Sequence, residues 1–269
     1  YLLLCNRLTG QPIPHYFYQY KSSEGLSNNT VFCSFQDSYG FLWFGTKDGL
    51  NRFDGHNFDV FRRSYTSDGG LGSNFILALA EDKNTTLWVG TDNGIYYSNT
   101  NTFHLLDPIF KSKEIYDIEV DHNNSVWFLT QGELYSYHIT SKSLIKRTSR
   151  EDFILTTLAK DNSGGIFAGS NQGKLFALIH NNLTLISDFT EHLKKEDQIN
   201  IQVIKPINDN EIIVGTSKQG VLKWNKLTNK ASTLFTDHSL FVRDIHIYDV
   251  NTYWYATENG LYIHNISNN

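Results

Sequence analysis

Six carboxylates recur at similar intervals along the 269-residue chain: Asp37, Asp82, Asp121, Asp161, Asp209 and Asp249. Two carboxyls converging about 5–10 Å apart would make a glycosidase pair, one acting as acid and the other as base or nucleophile. Each of these, however, stands at one point of a repeated sequence, in a polar turn just ahead of an apolar run. Asp side chains at such turns bond nearby backbone amides. The carboxylates therefore read as turn chemistry. Ten His are scattered without a His-x-x-x-His or Cys-x-x-Cys pair that would suggest a metal site. No Gly-x-Ser-x-Gly elbow and no phosphate loop ending in Gly-Lys-Ser/Thr is present. No catalytic residue, cofactor or metal is expected, and the chemistry left for this sequence is recognition.

The element that must position any recognition surface is a repeat. Residues 37–54, DSYGFLWFGTKDGLNRFD, return at 81–97 as EDKNTTLWVGTDNGIYY. Aligned on the Gly of Trp-x-Gly, the copies fall at Gly45, Gly90, Leu129, Gly169, Gly215 and Ala256, spaced by 45, 39, 40, 46 and 41 residues. Two places earlier stand Trp43, Trp88, Trp127, Phe167, Ile213 and Trp254, and Thr or Ser always follows the Gly position. Six strand-rich copies of this length predict an all-β fold, a β-propeller of about six four-stranded blades. The second strands, such as FLWFGT and TLWVGT, are nearly continuous apolar runs, as a strand covered on both faces requires. The small residue of Trp-x-Gly lets a neighbouring backbone approach closely. The Trp positions are read as packing residues, not as sugar-stacking platforms.

The expected blades span residues 30–61, 75–106, 115–147, 154–188, 201–235 and 241–264, with a charged, helical connection over 190–197. The sixth blade lacks a fourth strand, whereas residues 15–20, HYFYQY, form an outer strand without a blade. Pairing the two would close the ring and cover its exposed edges. The alternative is that the six blades are part of a seven-bladed propeller.

Composition limits the function classes. A net charge of −5 argues against a nucleic-acid binder. The basic clusters near Arg62, Lys142 and Lys194 read as solvated loops and strand ends. Two Cys make no disulfide framework, and Cys33 reads as a small buried residue. The opening Tyr1-Leu2-Leu3-Leu4-Cys5 resembles a partial secretory signal, so residues 1–14 are taken as signal and linker and 15–269 as the propeller. Five Asn-x-Ser/Thr sequons are read as chance in an Asn-rich chain.

The blocks around residues 37–55 and 81–95 resemble the two-component regulator propeller repeat. The stretch from Gly25 to Gly55 is similar to the start of extracytoplasmic sensors of hybrid two-component systems in gut Bacteroidetes. The resemblance runs from Tyr16 to the end, close in two blades and degraded in four. It implies a periplasmic ectodomain of an inner-membrane receptor that senses glycan-derived oligosaccharides and controls polysaccharide-utilisation genes through a histidine kinase. It implies as partners further propeller and immunoglobulin-like domains of the same receptor, and leaves a homodimer open. Those later parts are not in this sequence, so the chain is expected to be a sensor fragment or a free propeller. Its membrane link would run through a segment outside this sequence. The repeat motif is structural, and no ligand-binding residue carries over from it.

A ligand is expected on the face that carries the loops joining second and third strands, together with the lead-ins to the first strands. That face holds Asn29, Lys47, Asn74, Asp92, Asn171, Lys218, Arg243 and Glu258. Its amides pair donor with acceptor, which suits sugar hydroxyls, although Asn and Asp ahead of Gly are also ordinary turn residues. A propeller enzyme acting on glycans, or a protein-interaction platform, are the alternatives that fold alone leaves open.

Overall fold

The computed structural model describes residues 17–64, 69–99, 102–147, 153–193, 199–236 and 241–266. Strands form six antiparallel sheets in chain order, five of four strands and a sixth of three. The chain is a six-bladed β-propeller. The first strands of successive sheets lie side by side from the first sheet to the sixth, so they form the inner wall of the ring. Of the helical connection expected over 190–197, the described part is a short helix, Phe189–Leu193, and residues 194–197 lie outside the described residues.

The repeated Trp and Gly positions occupy one register in every sheet. Trp43, Trp88, Trp127, Phe167, Ile213 and Trp254 pair with Phe35, Ala80, Glu119, Ala159, Lys205 and His246 of the adjoining first strands. Trp43, Trp88 and Trp127 are buried in the sheet-to-sheet core, as expected for packing residues. Trp254 is only half-buried and stacks on Tyr248, with ring centroids 5.6 Å apart.

Gly at the aligned position is required by the next blade. A Cβ on Gly45 would fall 2.9 Å from the Ile76 carbonyl oxygen, and one on Gly90 2.6 Å from that of Ile115. On Gly169 it would meet Ile201, and on Gly215 Val242, at 2.5 and 2.6 Å. In each case the residue met opens the following first strand. Ile76, Ile115, Ile201 and Val242 are accordingly sealed from solvent.

Every first strand also carries a bulge directly after this residue, with Phe32, Leu77, Tyr116, Thr156, Gln202 and Arg243 as the extra residues. A bulge frees a ladder carbonyl and re-aims a side chain. The Tyr116 hydroxyl donates to the Leu155 carbonyl at 2.7 Å and Thr156 to that of Ile201 at 2.5 Å. One blade thus satisfies the carbonyl at the start of the next.

The seam between the sixth and first sheets is built differently. Their first strands do not make the close approach seen at the other five junctions among the described residues. Val31, the counterpart of Ile76, is 43% exposed. The proposed closing strand, residues 15–20, falls partly outside the described residues, and residues 17–20 adopt no strand. Instead Phe17 lies 6.0 Å from the Trp254 ring, while Tyr20 packs on Phe53 and Phe58 of the first sheet at 4.9 and 5.8 Å.

Candidate ligand-binding face

The loop face is assembled by a bond repeated around the ring. In five of the six blades the amide after the second strand donates to the carbonyl that precedes the first strand: Lys47 to Thr30, Asp92 to Phe75, Asn171 to Ile154, Ser217 to Asn200 and Glu258 to Phe241. The Thr or Ser after the Gly position braces the same turn. Thr46, Thr91, Thr216 and Thr257 donate to Gly49, Gly94, Gly220 and Gly260 carbonyls at 2.9–3.0 Å. Each of these hydroxyls also accepts one turn amide. In the third blade the turn is a residue shorter, and the buried Thr130 hydroxyl has no partner among the described residues.

Within this frame the expected residues divide. Asn29 accepts from the Ser22 amide at 2.8 Å and Asn171 from the Ile154 amide at 3.0 Å. Asn74 accepts from the Arg63 amide and donates to Asp48, at 2.7 and 2.9 Å. Arg243 and Glu258 form an exposed ion pair at 2.6 Å, with the guanidinium 4.0 Å above the Phe241 ring. These five make contacts within the loops, Arg243 and Glu258 through a solvent-exposed pair. Lys47, Asp92 and Lys218 are exposed on the same face. The structure brings Arg243 to Glu258 and gathers Asn74, Asp48 and Arg62 into one cluster, with Arg62 to Asp48 at 3.2 Å. A shallow hollow of 690 Å³ flanks this face, with Gly70, Gly72, Tyr96, His104 and Lys111 in its wall.

At the opposite end, the recurring carboxylates do what turn chemistry requires. Asp37, Asp82, Asp121 and Asp161 each accept two amides, from the second and fourth residues onward, at 2.7–3.1 Å. The second oxygen of the first three receives the indole Nε1 of Trp43, Trp88 and Trp127 at 2.7–2.9 Å. In the fifth blade the turn differs from expectation: Asn208 supplies the acceptor, for the Asn210 amide, in place of Asp209.

Inner-wall carboxyls were missed in the sequence. Burial raises Asp117 to about 6, against hydrogen bonds from the Leu158 amide and the Thr157 hydroxyl. Burial and then the Asp117 charge raise Glu119 to about 7, opposed by Lys160 and Lys205. Alternation along the strand carried the signal, since Asp117 and Glu119 interrupt an apolar first strand, Ile115–Val120. Burial pushes the Cys33 thiol up to about 12, which keeps it protonated and unreactive. Among the described residues no group of three or more His, Cys, Asp or Glu could hold a metal ion. None of their helices is long and apolar enough to cross a membrane.

The sheets and their repeated register define a β-propeller. The profile of the two component regulator propeller family matches residues 25–48 and 70–93, so the chain carries two copies of that repeat. A 46-residue stretch is 48% identical to Histidine kinase P4 of Formosa agariphila, covering 17% of this chain and 3% of that protein. Two solved structures from B. thetaiotaomicron share the fold. The extracellular domain assigned to hybrid two component system BT3049 matches with a TM-score of 0.75 and 22% identity over 94% of this chain and 36% of that one. That assigned to BT4673 gives 0.73 and 21% over 89% and 32%. Virginiamycin B lyase from Staphylococcus aureus also shares it, at a TM-score of 0.68 and 13% identity over 87% of this chain and 79% of that one. The chain therefore spans about a third of the two-component ectodomains it resembles and a small part of the kinase.

Proposed function

We propose that this chain is the periplasmic ligand-sensing propeller of a hybrid two-component receptor, and that it binds a glycan-derived oligosaccharide on its loop face. The observation that carries this reading is the regulator propeller repeat at residues 25–48 and 70–93. In this reading Lys47, Asp92 and Lys218 meet the ligand, while Asn29, Asn74, Asn171, Arg243 and Glu258 hold the loops in place. The bound face changes how the propeller packs on further propeller and immunoglobulin-like domains of the receptor, or on a second copy. A histidine kinase elsewhere in the receptor then controls polysaccharide-utilisation genes. The chain itself performs no reaction: five of the six recurring carboxylates, Asp249 included, are each bound by two turn amides, and three of these also by an indole. A lyase sharing the fold speaks for fold alone.

Calorimetric titration of the complete receptor ectodomain with an oligosaccharide panel tests the reading. Saturable binding lost in a Lys47→Ala/Asp92→Ala double variant is expected. Absence of binding across the panel would favour a protein-interaction platform, and product release seen by chromatography with highly purified protein would favour an enzyme.

For the seam, the exposure of Val31 supports a place for a seventh sheet, whereas the Phe17–Trp254 contact supports closure by residues 15–20. Hydrogen exchange separates them. Closure by the N-terminal strand predicts alternating protected amides along Gly260–Asn265, the outer strand of the sixth sheet.

A further inference from the structure

At the end opposite the loop face, a cleft of 360 Å³ opens between the first and second sheets. Phe41, Trp43 and Arg52 line it from the first sheet, and Leu87, Ser98 and Phe103 from the second. The third-strand position paired with the start of the second strand holds Phe53, Tyr137, Trp224 and His264 in other sheets. Between the second and third sheets, Tyr137 fills the space beside Trp88, with ring centroids 5.8 Å apart. In the second sheet the position is Ser98, so no ring from that position reaches Trp43, which packs instead on Phe61 of its own sheet at 5.7 Å. Ser98 is 5% exposed, and its hydroxyl is buried with no hydrogen-bond partner among the described residues. A buried hydroxyl left unpaired destabilises the folded chain.

The surroundings set the class of molecule that would satisfy it. Arg52 lies 5.0 Å from the Phe41 ring centroid and 5.9 Å from that of Trp43, so its charge sits at the aromatic wall. Arg52 is already paired with Asp59 at 2.7 Å, so the two carboxylates that line the cleft, Asp37 and Glu81, give it an excess of negative charge. Glu81 ties the two sheets together by accepting from the Ser38 amide and hydroxyl at 2.8 and 3.0 Å. The exposed Tyr39 and Asn99 stand at the mouth.

The geometry points to a second binding site here, for a neutral ring-shaped polyol such as one pyranose unit. The ring takes the place that Tyr137 takes beside Trp88, one hydroxyl bonds Ser98, and the excess negative charge rejects anionic sugars. The site is separate from the loop face and does not rest on the reading given for it.

Saturation-transfer NMR on the whole chain tests it, with methyl α-glucopyranoside and methyl β-galactopyranoside as neutral probes and glucuronate as the charged one. At least one neutral glycoside is expected to bind saturably. Ser98→Ala should weaken it about tenfold, Ser98→Tyr should abolish it, and Lys47→Ala/Asp92→Ala should leave it unchanged. Ser98→Ala is close to isosteric, so it keeps the test sound if the larger variant fails to fold. No saturable signal from either neutral probe, binding indifferent to Ser98→Ala, or glucuronate bound as tightly as the neutral probes would each overturn the proposal.

Discussion

The indole Nε1 of Trp88 donates to Oδ2 of Asp82 at 2.9 Å, while Oδ1 of the same carboxylate accepts the Asn84 and Thr86 amides. One buried carboxylate thus fixes both the turn between first and second strands and the ring that packs against the next blade. Removing it leaves three donors without their acceptor. Asp82→Ala is expected to cost about 2–4 kcal/mol, and Asp82→Asn less, because an amide oxygen still accepts. Urea unfolding at neutral pH checks both, and equal losses would contradict the role given to the acceptor oxygens.

Gly90 and Gly40 separate close approach from backbone conformation. A Cβ at Gly90 would strike the Ile115 carbonyl, whereas one at Gly40 meets nothing within 4 Å and only faces a φ of +92°. Gly90→Val should therefore cost more than about 3 kcal/mol by forcing two blades apart. Gly40→Ala should cost about 1 kcal/mol through strain at positive φ. Chemical denaturation of the two variants gives the order, and comparable losses would refute the packing argument.

The ring was legible because its repeat uses residues whose physical reasons are local. Trp43, Trp88 and Trp127 bring apolar bulk, Gly45 and Gly90 admit a carbonyl, and Asp37 and Asp82 bind amides a few residues away. The role of the Thr after each Gly was visible as a pattern, but its bond to a carbonyl across the turn needs the loop conformation. Closure was not legible, since pairing of residues 15–20 depends on contacts between chain ends far apart in sequence. The cleft beside Ser98 was invisible for a related reason. It depends on which third-strand residue of the second sheet is set towards Trp43 of the first, and a single sequence does not show which such residue faces which ring.

Among the loop-face residues, Asn74 is predicted to be structural and Lys47 not. Asn74 joins the Arg63 amide to Asp48, whose other oxygen faces Arg62 at 3.2 Å. Asn74→Ala should lower stability by about 1–2 kcal/mol. Lys47→Ala, at an exposed side chain, should stay within about 0.5 kcal/mol of the parent. Parallel urea titrations measure both, and a silent Asn74→Ala would return that residue to the ligand-contact set.

The inner wall should make stability depend on pH in a predictable direction. Asp117 and Glu119 titrate at about 6 and about 7 in the folded chain, above their ordinary values of 3.8 and 4.5, first because of burial. The folded state therefore holds protons that the unfolded chain has already released. Their contribution is fully present below about pH 4 and is lost as pH rises through 6 and 7. Glu119→Gln keeps an uncharged group of the same size at the position. It should raise stability at about pH 8 by about 1 kcal/mol and flatten the decline between pH 4.5 and 7. Lys160 and Lys205, which favour the ionised carboxylate, limit the gain. Urea unfolding of parent and variant across that range reads the effect directly. Parallel curves would mean that Glu119 is as well solvated in the folded chain as in the unfolded one.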